Sequence, residues 1–165
     1  MRCTVRRAAP KDAQALDALH KASVRALCAK AYSARQIEAW LTGRGPADYC
    51  RAMLAGEAMF VAERDGQVVG FASIKSDVLM GLYVDPERGR GVGAVLLGLA
   101  EQHVREEGAA VLSLQATLNA VTFYQSHGFV ADRTNSVLRG DRKLAVVDMS
   151  KWLAGGVVRW PLQGL

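Results

Sequence analysis

The stretch Leu82-Tyr83-Val84-Asp85-Pro86-Glu87-Arg88-Gly89-Arg90-Gly91-Val92-Gly93 decides the reading of this chain. The end of an apolar strand meets a Pro-marked turn, and a Gly/Arg loop then runs into an amphipathic helix. Gly89, Gly91 and Gly93 remove side chains where backbone N–H groups have to come close to a ligand. The first turn of the helix adds about four N–H groups without intrahelical partners, and with them the positive end of the peptide dipole. Together these form an anion site, to which Arg88 and Arg90 add charge. The simplest occupant is a pyrophosphate.

Two common cradles fail on this sequence. A P-loop needs Gly-Lys-Ser/Thr at the helix entry, whereas Gly93 is followed by Ala94 and Val95, which supply neither the lysine nor a magnesium ligand. The spacing Gly89-x-Gly91-x-x-Ala94 formally matches the dinucleotide fingerprint. That fingerprint leaves its strand almost at once and finds an acidic residue roughly 20 positions on. Here Asp85 to Arg88 intervene, and the next strand, Val111 to Ala116, carries no carboxylate.

The third option fits. Arg88-Gly-Arg-Gly-Val-Gly93 resembles the Arg/Gln-x-x-Gly-x-Gly/Ala loop of the GNAT family of acyl-CoA-dependent N-acyltransferases. A second block, Asn119-Ala-Val-Thr-Phe-Tyr124-Gln-Ser-His-Gly128-Phe129, resembles that family's Asn-x-x-Ala-x-x-Phe/Tyr-Tyr-x-x-x-Gly-Phe region. The spacing departs slightly, since Asn119 directly precedes Ala120. Tyr32 to Trp40 is similar to the second helix of a subset of bacterial GNAT proteins without settled substrates. The resemblance covers roughly residues 1–149; the tail 151–165, with Trp152, Trp160 and Pro161, is left unassigned.

Composition frames this reading. A chain of 165 residues, half of them apolar, suits one domain with a substantial core. It contains no apolar run of the roughly 18 residues needed to span a membrane. The charges of Met1 to Arg7 precede no apolar segment, so no secretory signal is expected. Cys3, Cys28 and Cys50 are odd in number and lack C-x-x-C spacing, so they read as reduced thiols of a cytoplasmic protein rather than a disulfide or metal framework. The net charge of +5 favours anionic ligands but does not separate a coenzyme from a nucleic acid.

The periodicity gives the order of elements. Cys3–Arg7 forms a strand, and Pro10 to Asp12 opens a helix reaching about Lys30. Ser33 to Gln36 has capping-box spacing, and Ile37, Trp40 and Leu41 form the stripe of a second helix. A short helix ends at Leu54, before Gly56. Met59–Glu63 and Val68–Ile74 flank Asp65-Gly66, a strong hairpin signal. Val78–Val84 is a fourth strand, interrupted by Gly81, which marks a bulge or a close approach. A helix from Val92 to Glu107, a strand Val111–Ala116 and a short helix from Asn119 to His127 follow, with Gly128 as a left-handed cap. Two last strands, Phe129 onward and Leu144–Met149, are joined by a polar connection from Asp132 to Lys143. The fold class expected is α+β: a mixed, mostly antiparallel sheet of six or seven strands with helices on both faces, in the order of the GNAT fold.

The resemblance also assigns roles. Arg88, Gly89, Arg90, Gly91, Val92, Gly93 and Ala94 would hold the pyrophosphate of acetyl-CoA. Leu82, Tyr83 and Val84 would border its pantetheine arm, and Asn119 would contact the coenzyme or cap its helix. Tyr124 would donate a proton to the leaving thiolate, whose parent thiol has a pKa of about 8.5 against about 10 for tyrosine. Tyr32, Trp40, Ser113 and Gln115 are candidates for the acceptor pocket, which is expected between the first two helices and the Asp132–Lys143 connection. The sequence identifies no general base: Glu63 and Asp77 are candidates, but ordinary strand-end charges are the better reading of both. His20, His103 and His127 have no metal spacing, and no metal is expected. Arg133, Arg139, Arg142 and Lys143 either select an acidic acceptor or are simply solvated.

The function expected is acetyl transfer from acetyl-CoA to a primary amine of a small molecule or peptide. A non-catalytic acyl-CoA-binding module and a tRNA-directed acetyltransferase are the alternatives. The dispersed basic residues do not favour a nucleic-acid partner. No membrane partner is expected, and a homodimer is left open.

Overall fold

The computed structural model describes residues 3–153. Strand β1 (Thr4–Arg7) leads through a single 3-10 turn, Pro10–Asp12, into α1 (Ala13–Leu27), α2 (Ala34–Leu41) and α3 (Pro46–Leu54). An antiparallel meander follows: β2 (Ala58–Arg64), β3 (Gln67–Lys75) and β4 (Val78–Val84). Then come α4 (Val92–Glu106), β5 (Val111–Thr117), the short α5 (Val121–Ser126), β6 (Val130–Arg139) and β7 (Arg142–Trp152). The seven strands form one sheet in the order β1-β2-β3-β4-β5-β7-β6. Only the β4–β5 pair is parallel. This is the expected α+β architecture, with seven strands. Trp160 and Pro161 lie outside the described residues.

Local chemistry explains the ends of the elements. The Ser33 hydroxyl accepts the Gln36 N–H at 3.2 Å and the Gln36 side chain accepts the Ser33 N–H at 2.9 Å, a complete capping box. Asp65 and Gly66 take φ values of 50° and 74°, the left-handed pair that lets a two-residue turn match the twist of β2 and β3. Helix α1 stops at Leu27 rather than Lys30, and the turn that follows carries Tyr32 inward. There the Tyr32 hydroxyl donates to the Ala145 carbonyl at 2.6 Å and accepts the Leu118 N–H at 3.0 Å.

The polar connection expected from Asp132 to Lys143 is instead most of a hairpin. Strand β6 pairs with β7 from Val130↔Ser150 to Arg139↔Arg142, leaving Gly140-Asp141 as a two-residue turn. As the outermost strand, β6 exposes most of both faces, so no apolar alternation marks it.

Helices cover both faces. Leu96, Leu97, Ala100 and Val104 of α4 pack on Val69, Ala72, Ile74 and Leu112. Leu16 of α1 and Tyr49 of α3 pack with Val61 and Phe71 on the other face. Each fully buried leucine in these layers contributes about 1.5–3 kcal/mol. Gly70 sets the approach of α4, because a Cβ there would lie 2.6 Å from Val92 Cγ1 and 3.0 Å from Leu96 Cδ1. Gly70→Val is therefore expected to cost about 1–3 kcal/mol through overpacking. That corresponds to a fall in Tm of roughly 2–10 °C; an unchanged melting curve would mean that α4 is not held this tightly.

Candidate active site

The site begins where the sheet opens. Strands β4 and β5 pair only at Val78↔Ser113 and Leu79↔Leu114. Immediately beyond, β4 bulges: Leu79 faces Ile74 and Gly81 faces Ser73, so Met80 is extra. Gly81 also makes room for the Tyr83 ring, which would come within 2.7 Å of a Cβ at that position. The bulge expected at Gly81 is present, and it bends β4 away from its parallel neighbour. A cleft of about 500 Å³ fills the gap.

One end of the cleft meets the Gly/Arg loop. Gly91 takes φ 78° and opens α4, while the Val92 N–H turns back to the Gly89 carbonyl at 3.0 Å. The N–H groups of Arg90, Gly91, Gly93 and Ala94 have no acceptor among the described residues, as an anion cradle requires. Gly89 is fixed by crowding, since a Cβ would collide with the Asp85 carbonyl. The Asp85 carboxylate accepts the N–H groups of Glu87 at 2.9 Å and Arg88 at 2.8 Å. Burial opposes ionisation of Asp85, but these two donors and the Arg88 guanidinium outweigh it and hold its pKa below the usual value. The Arg88 side chain is engaged by Asp85 and Gln67, so its charge shapes the loop. Arg90 is exposed and has no acidic partner among the described residues.

A residue missed at the sequence level braces this loop. Arg64, at the end of β2, donates to the Arg88 carbonyl at 2.6 Å and the Arg90 carbonyl at 2.9 Å. It ties down two loop carbonyls, leaving the neighbouring N–H groups for a ligand. Nothing near Arg64 in sequence announces this, because its partners are a hairpin and a strand away.

The middle of the cleft holds Tyr124. The residue is 7% exposed, and its hydroxyl has no hydrogen-bond partner among the described residues. Burial raises its pKa, so the phenol stays protonated and can act as a donor. Tyr124 packs against Phe123 and Phe129, and Phe123 lies beneath Gly93, where a Cβ would approach its ring to 3.3 Å. Asn119 also lines the cleft, but it sits in a 3-10 turn and α5 is capped at Ala120, so the helix-capping role does not hold.

The far wall comes from α1, α2, β6 and β7, including Val24, Trp40, Val137, Arg139 and Leu144. Tyr83 crosses to this side, its ring stacked on His20 with centroids 3.8 Å apart. His20 is 2% exposed, its Nδ1 lies 2.8 Å from the Tyr49 hydroxyl, and its Nε2 has no partner. Burial, reinforced by Arg44, Lys21 and Arg139, pushes the His20 pKa down to about 3, so the ring is neutral. Burial raises the pKa of Tyr83 to about 12.

The cleft thus gathers Leu82, Tyr83, Val84, Gly93, Asn119, Tyr124, Trp40 and Gln115. Its lining does not include Arg88, Gly89, Arg90, Gly91, Val92 and Ala94, which form the loop beside it, nor Tyr32, whose hydroxyl is occupied structurally, nor Ser113, which faces the Asp77 carbonyl. Tyr32 and Ser113 thus stand apart from the other two acceptor candidates, Trp40 and Gln115. Glu63 is paired with Arg6 at 2.7 Å, and neither it nor Asp77 lines the cleft, as strand-end charges would behave. No carboxylate or histidine lines the cleft among the described residues. None of these residues forms a group of three or more His, Cys, Asp or Glu placed to hold a metal ion. No described helix is long and apolar enough to cross a membrane.

Residues 28–153 match the family model for the acetyltransferase (GNAT) domain. The chain belongs to the GNAT acetyltransferase family. It is 31% identical over 126 residues to the uncharacterized N-acetyltransferase YafP of Escherichia coli (strain K12), covering 76% of this chain and 79% of YafP. A solved GCN5-related N-acetyltransferase from Rhodopseudomonas palustris is 35% identical, with a TM-score of 0.87 over 93% of this chain and 97% of that one. The PaiA N-acetyltransferase of Thermoplasma acidophilum shares the fold, at 23% identity and a TM-score of 0.77 over 92% of this chain and 99% of PaiA.

In this GNAT chain the Arg64 brace is open to a direct test. Arg64→Met removes two hydrogen bonds from a charged donor, each worth about 1 kcal/mol at a partly solvated site. The affinity for ADP, read by calorimetry, is expected to fall roughly fivefold to thirtyfold. Arg64→Lys should not restore it, because one ammonium lacks the fork that reaches both carbonyls. Unchanged affinity in both variants would show that the loop holds its shape without the brace.

Proposed function

We propose that this protein moves the acetyl group of acetyl-CoA directly to a primary amine of a small molecule or peptide. The observation that carries the reading is a cleft lined by both Gly93, whose loop offers unpartnered N–H groups at the head of α4, and Tyr124, whose hydroxyl has no partner among the described residues. The pyrophosphate would sit on the N–H groups of Arg90, Gly91, Gly93 and Ala94, with Val92 fixing the turn and Arg90 adding charge. The pantetheine arm would run along Leu82, Tyr83 and Val84, where β4 has left β5, and Asn119 would flank it. PaiA, which has this fold, is known in complex with coenzyme A, and YncA of Salmonella typhimurium with acetyl-CoA.

In the reaction the amine nitrogen attacks the thioester carbonyl and forms the C–N bond. The carbonyl oxygen gains negative charge, which a free N–H on β4 would stabilise. The C–S bond then breaks, and the departing sulfur takes the Tyr124 proton. The nitrogen's surplus proton leaves to water, which reprotonates the phenolate. Burial keeps Tyr124 protonated at neutral pH, so its hydroxyl proton is in place to hydrogen-bond the sulfur as the thiolate develops.

The missing base has its own consequence. With no carboxylate or histidine lining the cleft among the described residues, the acceptor would have to arrive as a free amine. His20 titrates near 3 and Tyr83 near 12, so neither adds a limb between pH 6 and 9. The profile of kcat/KM is expected to rise with pH as the amine loses its proton, and to level at the acceptor's own pKa. Amines of different pKa should move that limb with them; a limb fixed at one pH for all amines would reveal an enzyme base. Tyr124→Phe is expected to lower kcat roughly a hundredfold or more. Its affinity for acetyl-CoA should be preserved; an undiminished kcat would refute the proton-donor role.

A further inference from the structure

We infer that the acceptor is a small amine carrying a carboxylate on an apolar body, and that Arg139 binds the carboxylate. This rests on the acyl-transfer reading above and names its substrate class. Arg139 is the one formally charged residue among those lining the cleft. Its guanidinium makes a single hydrogen bond, to the Leu138 carbonyl at 3.2 Å, and has no acidic partner among the described residues. The other arginines of the hairpin differ: Arg133 is held by Asp148 at 2.7 Å, and Arg142 lies 3.7 Å from Asp141. Among the described residues, only Arg139 is both without an acidic partner and part of the cleft lining.

The position is built rather than incidental. Arg139 closes β6 opposite Arg142, and the adjoining Gly140 sits so near α2 that a Cβ would lie 2.9 Å from the Ala39 carbonyl. The hairpin tip is thereby seated on the helix that carries Trp40. Trp40, Val137 and Leu144 belong to one apolar cluster on the wall that Arg139 shares. A guanidinium beside such a wall is incompletely hydrated and strongly favours a carboxylate, which can take two of its donors at once. Arg44, whose Cζ lies 5.8 Å from the centroid of the Tyr49 ring, adds positive charge behind Tyr83 and His20. An ammonium without an anion would be repelled by this field. A carboxylated amine is drawn in, and the same positive charge eases loss of its ammonium proton, the step for which the cleft supplies no base.

Matched amines that differ only by the carboxylate test this: leucine against isopentylamine, and phenylalanine against phenethylamine. Each is assayed with acetyl-CoA by thiol release, and its binding to the CoA-loaded protein is followed by calorimetry. The carboxylated members are expected to be preferred in kcat/KM by roughly tenfold or more. Arg139→Gln should cut that ratio roughly tenfold to a hundredfold, mainly through KM, while Arg139→Lys keeps part of it and the control Arg142→Gln leaves it in place. Equal rates within each pair, or an R139Q variant that slows both members alike, would overturn the assignment while leaving acyl transfer intact. Binding of leucine or phenylalanine that R139Q abolishes, without any acetylation, would support the carboxylate site and refute acyl transfer instead. If neither amino acid binds or is acetylated, the inference is wrong.

Discussion

Strands β4 and β5 share two residue pairs and then part, and the functional architecture depends on that separation. Parallel neighbours in a sheet normally continue side by side, because an abandoned strand edge leaves backbone donors and acceptors unpaired. Here the bulge at Met80 and Gly81 bends β4, and the crossover through α4 returns the chain on the far side of a gap. The gap opens through the sheet. Helix α4 delivers its N-terminus from one face, while α1, α2 and the β6–β7 hairpin wall the other. A coenzyme and an amine can therefore approach the same carbonyl from opposite faces without competing for space.

Charge is distributed to match. The cradle offers neutral N–H groups whose supporting carbonyls are held by Arg64 and whose turn is fixed by Asp85. The centre holds a tyrosine that burial keeps protonated. The wall formed by α1, α2 and the β6–β7 hairpin has a neutral histidine behind it and holds Arg139, which has no acidic partner among the described residues; none of those lining the cleft is a carboxylate. On the proposed mechanism, the protein supplies the proton donor and solvent takes up the amine's proton.

Much of this was legible in the sequence wherever the determining interaction is local. The glycines of the loop, the Asp65-Gly66 turn, the Ser33 capping box and the break at Gly81 each act within a few residues of themselves. Their structures follow from φ, sterics and helix-end hydrogen bonding. Strand β6 was not legible, because an outer strand bearing Asp132, Arg133, Thr134 and Asn135 is held by pairing with β7 rather than by an apolar face. Its one local signal is Gly140-Asp141, a two-residue hairpin turn. Tyr32 and His20 escaped for a related reason. Each is defined by partners distant in sequence, Ala145 and Leu118 for the first, Tyr49 and Tyr83 for the second. A tyrosine in the turn between two helices, or a histidine on an apolar helix face, looks the same whether it meets a ligand or another group of the protein.

The claim at the centre is that the Gly91 turn at the head of α4 is a pyrophosphate cradle feeding the gap between β4 and β5. Calorimetric titration of acetyl-CoA into the wild type, Gly91→Ala and Gly91→Glu, with Tm recorded for each, tests it most directly. The account predicts micromolar binding by the wild type and weaker binding by Gly91→Ala, whose methyl group strains the left-handed turn. It predicts none by Gly91→Glu, where a carboxylate would also repel the diphosphate. Equal binding by all three folded proteins, or none by the wild type, would contradict it.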